Sequence, residues 1–341
     1  MYNSIVAIFT ISLLLISVQA ACPSGPPSVD TTSGGFEYTY PYPIHYHELQ
    51  TQHQTLCQAY MDVPPHGPTN SSKTIMMLHG KNFCGVTWNA TIEVMRSQGY
   101  RVIVPDQIGF CKSDKPTAYQ FSLQQLALNT KSILDSLDIK SLVVMGHSMG
   151  GMLSTRFTLM YPNTVERLIL VDPIGLEDWK AKGVPYLSID NIYLQERASN
   201  YTSIRTYEQS TYYAGTWSPA YDVWVNMLVH VYNGSMADQY AFDQALITDA
   251  VITQPIAYEF PLLANKTTLL IVGQKDNTAI GKQWSPPNVQ AILGDYRVLG
   301  YQVAGAIGAN CTLVEYPDLG HAPQISAPDR FHKTVLDWLG E

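Results

Sequence analysis

The chain has 341 residues, a formal net charge of −8 and a pI near 5.5, a balance that argues against nucleic acid or an anionic membrane as the main partner. Apolar residues make up 46% and charged residues 14%, enough to bury the core of one large domain or two modest ones. The sequence shows no repeat at a solenoid period and no low-complexity tract.

Residues 5–18 are apolar apart from Thr10, Ser12 and Ser17, and Val18-Gln19-Ala20 is a small-residue cleavage pattern. Residues 1–20 therefore read as a secretory signal peptide. The run is short for a spanning helix; an uncleaved anchor is the alternative, and after cleavage no membrane partner is expected. Sequons at Asn70, Asn89, Asn200, Asn233, Asn265 and Asn310 exceed the roughly two that ordinary Ser and Thr usage would give fourteen asparagines. They predict an extracellular glycoprotein. Of the five cysteines, Cys22, Cys57, Cys84, Cys111 and Cys311, at least one is free or pairs between chains, and none has metal-site spacing.

Residues 21–36, rich in Pro, Gly and Ser, read as a flexible leader. Residues 44–50 and 55–63 predict a hairpin turning near Gln52-His53. Short buried strands follow at 74–78 and 100–105, with a helix at 87–98 between them. Ser122 caps an amphipathic helix carrying Leu123, Leu126, Ile133, Leu134 and Leu137. Strands at 141–145 and 167–171 complete a first core segment, 37–173. From 174 to 264 strands vanish and Tyr and Trp become dense, which predicts a helical insertion placed as a lid over a pocket. Alternation resumes over 265–341, with strands at 267–272 and 312–316 and helices around 290–307 and 327–339. The pattern predicts an α/β fold, a mostly parallel sheet with helices on both faces.

Gly146-His147-Ser148-Met149-Gly150 follows the apolar run 141–145 and precedes a helical segment. G-x-S-x-G occurs by chance in roughly one in ten chains of this length, so the strand-turn-helix context is what marks Ser148 as a nucleophile. A serine needs a base, and the base an orienting acid. His321, in a Gly-His turn past the last strand, is the candidate base. Asp276, at the end of the strand at 267–272, is the candidate acid, and Asp172, at the end of the preceding strand, is its rival. Backbone N–H groups of Met149 and Lys81, with Asn82 the alternative to Lys81, are the candidate oxyanion donors; the Asn82 side chain is a candidate pocket residue. His79 and His147 flank this machinery without a role in the chemistry. His45 and His47 share a strand face, and with no third ligand nearby they predict no metal site. No phosphate loop or dinucleotide fingerprint is present, and no cofactor is expected.

The order Ser148, Asp276, His321, with His79-Gly80, Pro105-Asp106-Gln107-Ile108-Gly109-Phe110, Gly146-His147-Ser148-Met149-Gly150 and Gly320-His321, resembles the α/β-hydrolase superfamily over residues 75–340. The nearest likeness is to esterase-like members of the epoxide hydrolase and haloperoxidase branch. The resemblance implies about eight strands with a helical cap inserted after the sixth. It also implies that the loops holding Cys84 and Cys111 follow adjacent strands, hence a disulfide between them. Ser148 stands where epoxide hydrolases and haloalkane dehalogenases have Asp. Met149 stands where proline iminopeptidases usually have Trp, and Lys81-Asn82-Phe83 is not the longer glycine run of many lipases. The expected function is a secreted serine hydrolase acting on a small-molecule carboxylic ester or lactone through an acyl-enzyme. The alternatives are an amide or carbon–carbon bond hydrolase or perhydrolase with the same triad, or a non-catalytic binding protein on this scaffold. Oligomeric state is left open.

Overall fold

The computed structural model describes residues 22–29, 33–67 and 73–341; the signal peptide expected at 1–20 and the Asn70 sequon lie outside them. Eight strands, β1 (Ile44–Thr51), β2 (Gln54–Val63), β3 (Thr74–Leu78), β4 (Arg101–Pro105), β5 (Leu142–His147), β6 (Val165–Val171), β7 (Thr268–Gly273) and β8 (Cys311–Tyr316), form one sheet in the order β1-β2-β4-β3-β5-β6-β7-β8. Only β2 runs against its neighbours. The expected hairpin turns at Gln52 and His53, both at positive φ, as a two-residue loop of primed type requires. All residues of β5 and β7 are buried, as both-face coverage demands.

The covering helices are α1 (Asn89–Ser97), α2 (Leu123–Ser136) and α3 (Met149–Met160) in the first part of the chain. The Ser122 hydroxyl accepts from the Gln125 amide at 3.0 Å and starts α2. Between β6 and β7 the described residues contain no strand but four helices, α4 (Ile189–Arg197), α5 (Tyr201–Thr211), α6 (Asp222–Asn233) and α7 (Ala237–Thr253). This is the helical insertion expected at 174–264. It is tied to the core through Gln244 Nε2, which donates to the Gly109 carbonyl at 3.1 Å, and Gln254 Oε1, which accepts from Leu123 N at 2.9 Å. Then come α8 (Pro287–Gln290), α9 (Tyr296–Ile307), α10 (Pro323–Ser326) and α11 (Pro328–Leu339). The helix expected around 290–307 is thus interrupted: Gly294 adopts φ +70, and its amide donates to buried Glu177 at 2.8 Å.

The leader expected to be flexible is instead anchored over its described residues. Cys22 is bonded to Cys57, Ser28 bridges to Ile44, and Phe36 is fully buried. Lys112 Nζ donates to the Phe36 carbonyl and Lys115 Nζ to the Gly34 carbonyl, each at 2.7 Å. Composition signalled a lack of regular structure, which two buried ammonium groups and a disulfide do not need. Cys84 and Cys111 form the second disulfide, and Cys311 is free. The asparagines of the five described sequons are all exposed.

Candidate active site

Ser148 occupies the turn between β5 and α3 at φ 58, ψ −121, a region unfavourable for a residue with a Cβ. The surroundings hold it there. Its amide donates to the Val171 carbonyl at 3.1 Å, and its carbonyl accepts from Gly151 and Ile174. The flanking glycines allow strand and helix to touch: a Cβ on Gly146 would sit 2.1 Å from the Gly150 carbonyl oxygen, and one on Gly150 2.1 Å from that of Leu78. Met149 is the first residue of α3, so its N–H has no acceptor within the helix. Gly80 abuts Ser148, since a Cβ there would lie 2.9 Å from Ser148 Cβ. The Lys81 backbone therefore follows directly on the residue against Ser148.

The loop after β8 delivers His321, fully buried. Its Nδ1 donates to Asp276 Oδ2 at 2.6 Å. Asp276 sits in the turn after β7, where its own amide donates to the Gly273 carbonyl and its Oδ1 accepts from Thr278 N at 2.8 Å. With Nδ1 carrying the proton, Nε2 is the basic nitrogen; it is buried with no hydrogen-bond partner among the described residues. The rival Asp172 makes no bond to His321; its Oδ1 accepts from Gly273 N at 2.7 Å. Asp172, Asp276 and His321 each bring one potential ligand atom within 4.8 Å of the others. A protonated Nδ1 has no lone pair to offer a metal, so this is a hydrogen-bonded arrangement.

The two flanking histidines brace the site. His147 Nε2 donates to the His321 carbonyl at 2.7 Å, with the ring centres 4.9 Å apart. Burial, and then the neighbouring His321, holds the His147 pKa well below its ordinary value, so the ring stays neutral. His79 donates from Nδ1 to Gly80 O and accepts at Nε2 from Gln107 N, and burial lowers its pKa too. Asp106 is a hub that motif reading left without a role: it accepts from Gly85 N, Tyr40 Oη and Lys112 N. His45 stacks on Tyr60, and His47 bonds Ser132.

The insertion closes over this centre. A cavity of about 470 Å³ is lined by residues including Lys81, Asn82, Ile204, Tyr207, Glu208 and Trp284. Ser148 and His321 are not in its lining. Tyr212 links the two regions: its hydroxyl accepts from Asn82 Nδ2 at 2.9 Å, its ring stacks on Phe83, and it stands 5.1 Å from His321. The Lys81 side chain pairs at 2.6 Å with Glu196 of α4, whose other oxygen accepts from Tyr232. Sequence reasoning placed Asn82 at the pocket but missed Tyr212, Glu196 and Glu208. Aromatic density marked their segment, yet nothing marked which side chains turn inward.

Sheet, elbow and histidine–aspartate pair together define a hydrolase architecture, and the comparisons agree. The family description for the alpha/beta hydrolase fold matches residues 73–189. A crystal structure of a probable hydrolytic enzyme from Pseudomonas aeruginosa is 49% identical with a TM-score of 0.87, covering 92% of this chain and 99% of that one. The chain belongs to the α/β-hydrolase superfamily. The enol-lactonase from Burkholderia xenovorans, 19% identical with a TM-score of 0.61 over 84% of this chain and 97% of that one, shares the fold. A 2-hydroxy-6-oxononadienedioate/2-hydroxy-6-oxononatrienedioate hydrolase from Paraburkholderia xenovorans is 38% identical over 104 residues, 29% of this chain and 36% of that protein. An uncharacterized Mycobacterium tuberculosis protein is 36% identical over 106 residues, 31% of this chain and 30% of that protein. The chain thus spans about a third of the length of these curated relatives.

Proposed function

We propose that this protein is a secreted, N-glycosylated serine esterase or lactonase working through an acyl-enzyme on Ser148. The observation that carries the reading is the buried 2.6 Å bond from His321 to Asp276, beside a serine held at positive φ at a strand–helix turn. His321 Nε2 takes the hydroxyl proton as Ser148 Oγ attacks the carbonyl, and Asp276 stabilises the imidazolium. The amides of Met149 and Lys81 receive the oxyanion. His321 gives its proton to the leaving alcohol and then draws one from water as the water oxygen attacks the acyl carbon; the acyl–Oγ bond breaks, the acid leaves, and His321 returns that proton to Ser148 Oγ.

The Paraburkholderia relative's name favours a second reading, carbon–carbon bond hydrolysis. The cavity speaks against a dicarboxylate substrate of the kind that name describes. Among its lining residues the only cation is Lys81, already paired with Glu196, so no lining cation stands free to neutralise two substrate carboxylates. An uncharged, partly apolar ester suits this wall better. Secretion and glycosylation are supported by the apolar N-terminus, the sequon excess and two disulfides.

The test is labelling of the purified protein with a fluorophosphonate probe, with the modified residue mapped by mass spectrometry. Labelling at Ser148, lost together with ester turnover in S148A, is expected. Turnover surviving in folded S148A at near wild-type rate would overturn the mechanism.

A further inference from the structure

Asp172 directly follows β6 at φ 37 and is fully buried. Its amide donates to Ile271 O at 2.8 Å, and its Oδ1 accepts from Gly273 N at 2.7 Å. Its Oδ2 is buried with no hydrogen-bond donor among the described residues. The neighbouring carboxyl, Asp276, is 3% exposed, and the two lie close enough for one oxygen of each, with a His321 nitrogen, to fall within 4.8 Å. Two buried carboxyl groups at such a separation do not both ionise. The donors decide which keeps the proton. Asp276 receives two, His321 Nδ1 and Thr278 N, one on each oxygen, whereas Asp172 receives one.

We propose that Asp172 is a positioning residue: a protonated carboxyl whose Oδ2–H donates to the Asp276 carboxylate and holds it in line with His321. This rests on the Ser148–His321–Asp276 reading and adds a fourth member that touches no substrate. Burial, and next the Asp276 charge, push the Asp172 pKa well above the carboxylate range, consistent with a proton on Oδ2. The titratable groups facing it are Asp276, His321, Tyr296 and Tyr316. None supplies a standing positive charge that would stabilise a second carboxylate. A neutral acid here gives Asp276 a third hydrogen bond without adding charge beside the imidazolium.

The test compares D172N and D172A in the full chain. Asparagine reproduces both bonds: its carbonyl accepts from Gly273 and its amide donates to Asp276. D172N should keep kcat within about threefold of wild type and leave the acid limb of kcat/KM in place, whereas D172A should lower kcat about tenfold or more at little-changed KM. If Asp172 were ionised, D172N would remove a charge beside His321 and move that limb down by about one pH unit or more. Such a move, or a D172N as impaired as D172A, overturns the proposal. A readout free of turnover is the infrared carbonyl difference spectrum at neutral pH, in which wild type and S148A should each show one buried carboxylic-acid band that D172N lacks, distinct from the Glu208 band that E208Q removes. An unchanged spectrum in D172N would overturn the proposal even where Ser148 labelling is intact. Absent labelling with the band in place would overturn the serine-hydrolase reading alone.

Discussion

Glu208 gives the sharpest stability prediction. It lies in α5 at the cavity wall, 1% exposed, and neither carboxyl oxygen has a donor among the described residues. Burial pushes its pKa from 4.5 up to about 8. Between those values the native state holds a proton that the unfolded chain has released. The native state binds more protons there, so stability falls as pH rises. Its contribution is complete below about pH 4.5 and is lost progressively up to about pH 8. Each tenfold step in ionisation is worth ~1.4 kcal/mol, which makes the loss about 3 kcal/mol at pH 7 and close to 5 kcal/mol above pH 9. E208Q keeps the shape and stays neutral at every pH. Urea unfolding followed by tryptophan fluorescence should find E208Q near parity with wild type at pH 4.5 and ahead by about 3 kcal/mol at pH 7. Parallel pH dependences for the two proteins would show that Glu208 is ionised or hydrated in the native state and refute the reasoning.

D276N should lower kcat by about 10⁴ with the fold intact, because an amide beside Nδ1 favours the wrong imidazole tautomer; circular dichroism and kcat on one preparation check it. G150A should cost more than about 4 kcal/mol or prevent folding, since its Cβ would lie 2.1 Å from a backbone oxygen of β3. G305A, inside α9 with nothing within 4 Å of the added methyl, should instead stabilise by about 0.5–1 kcal/mol; thermal melts of the pair separate close packing from helix propensity.

Much of this is legible in the sequence. Period-two and fully apolar runs located the strands because burial on one face or two leaves those signatures. Ser148 and His321 stood out because local chemistry forces them, a glycine-flanked turn in one case and a turn past the last strand in the other. Asp276 and Asp172 were harder to separate, as each closes a strand on the same sheet edge. Only the turn that folds Asp276 back through its bond to Gly273 O aims its carboxylate at His321. Pairing of Cys22 with Cys57 depends on where an irregular arm settles on β2, and no periodicity encodes that. The inward residues of the insertion, Tyr212 above all, are set by how four helices dock, a tertiary outcome that aromatic content alone does not resolve.

The anchored N-terminal arm carries a consequence for biosynthesis. Gly35 packs so closely that a Cβ would lie 2.5 Å from Met236, and one on Gly234 would lie 2.2 Å from the Gly35 carbonyl oxygen. The arm leaves the ribosome early, but this part of its berth is made some two hundred residues later. During synthesis the Cys22–Cys57 bond can park the arm beside β2, shortening the search it faces once α6 and α7 emerge. Chain order and oxidation order are thereby coupled, and translation outpacing disulfide formation should yield chains whose insertion docks without its N-terminal wedge.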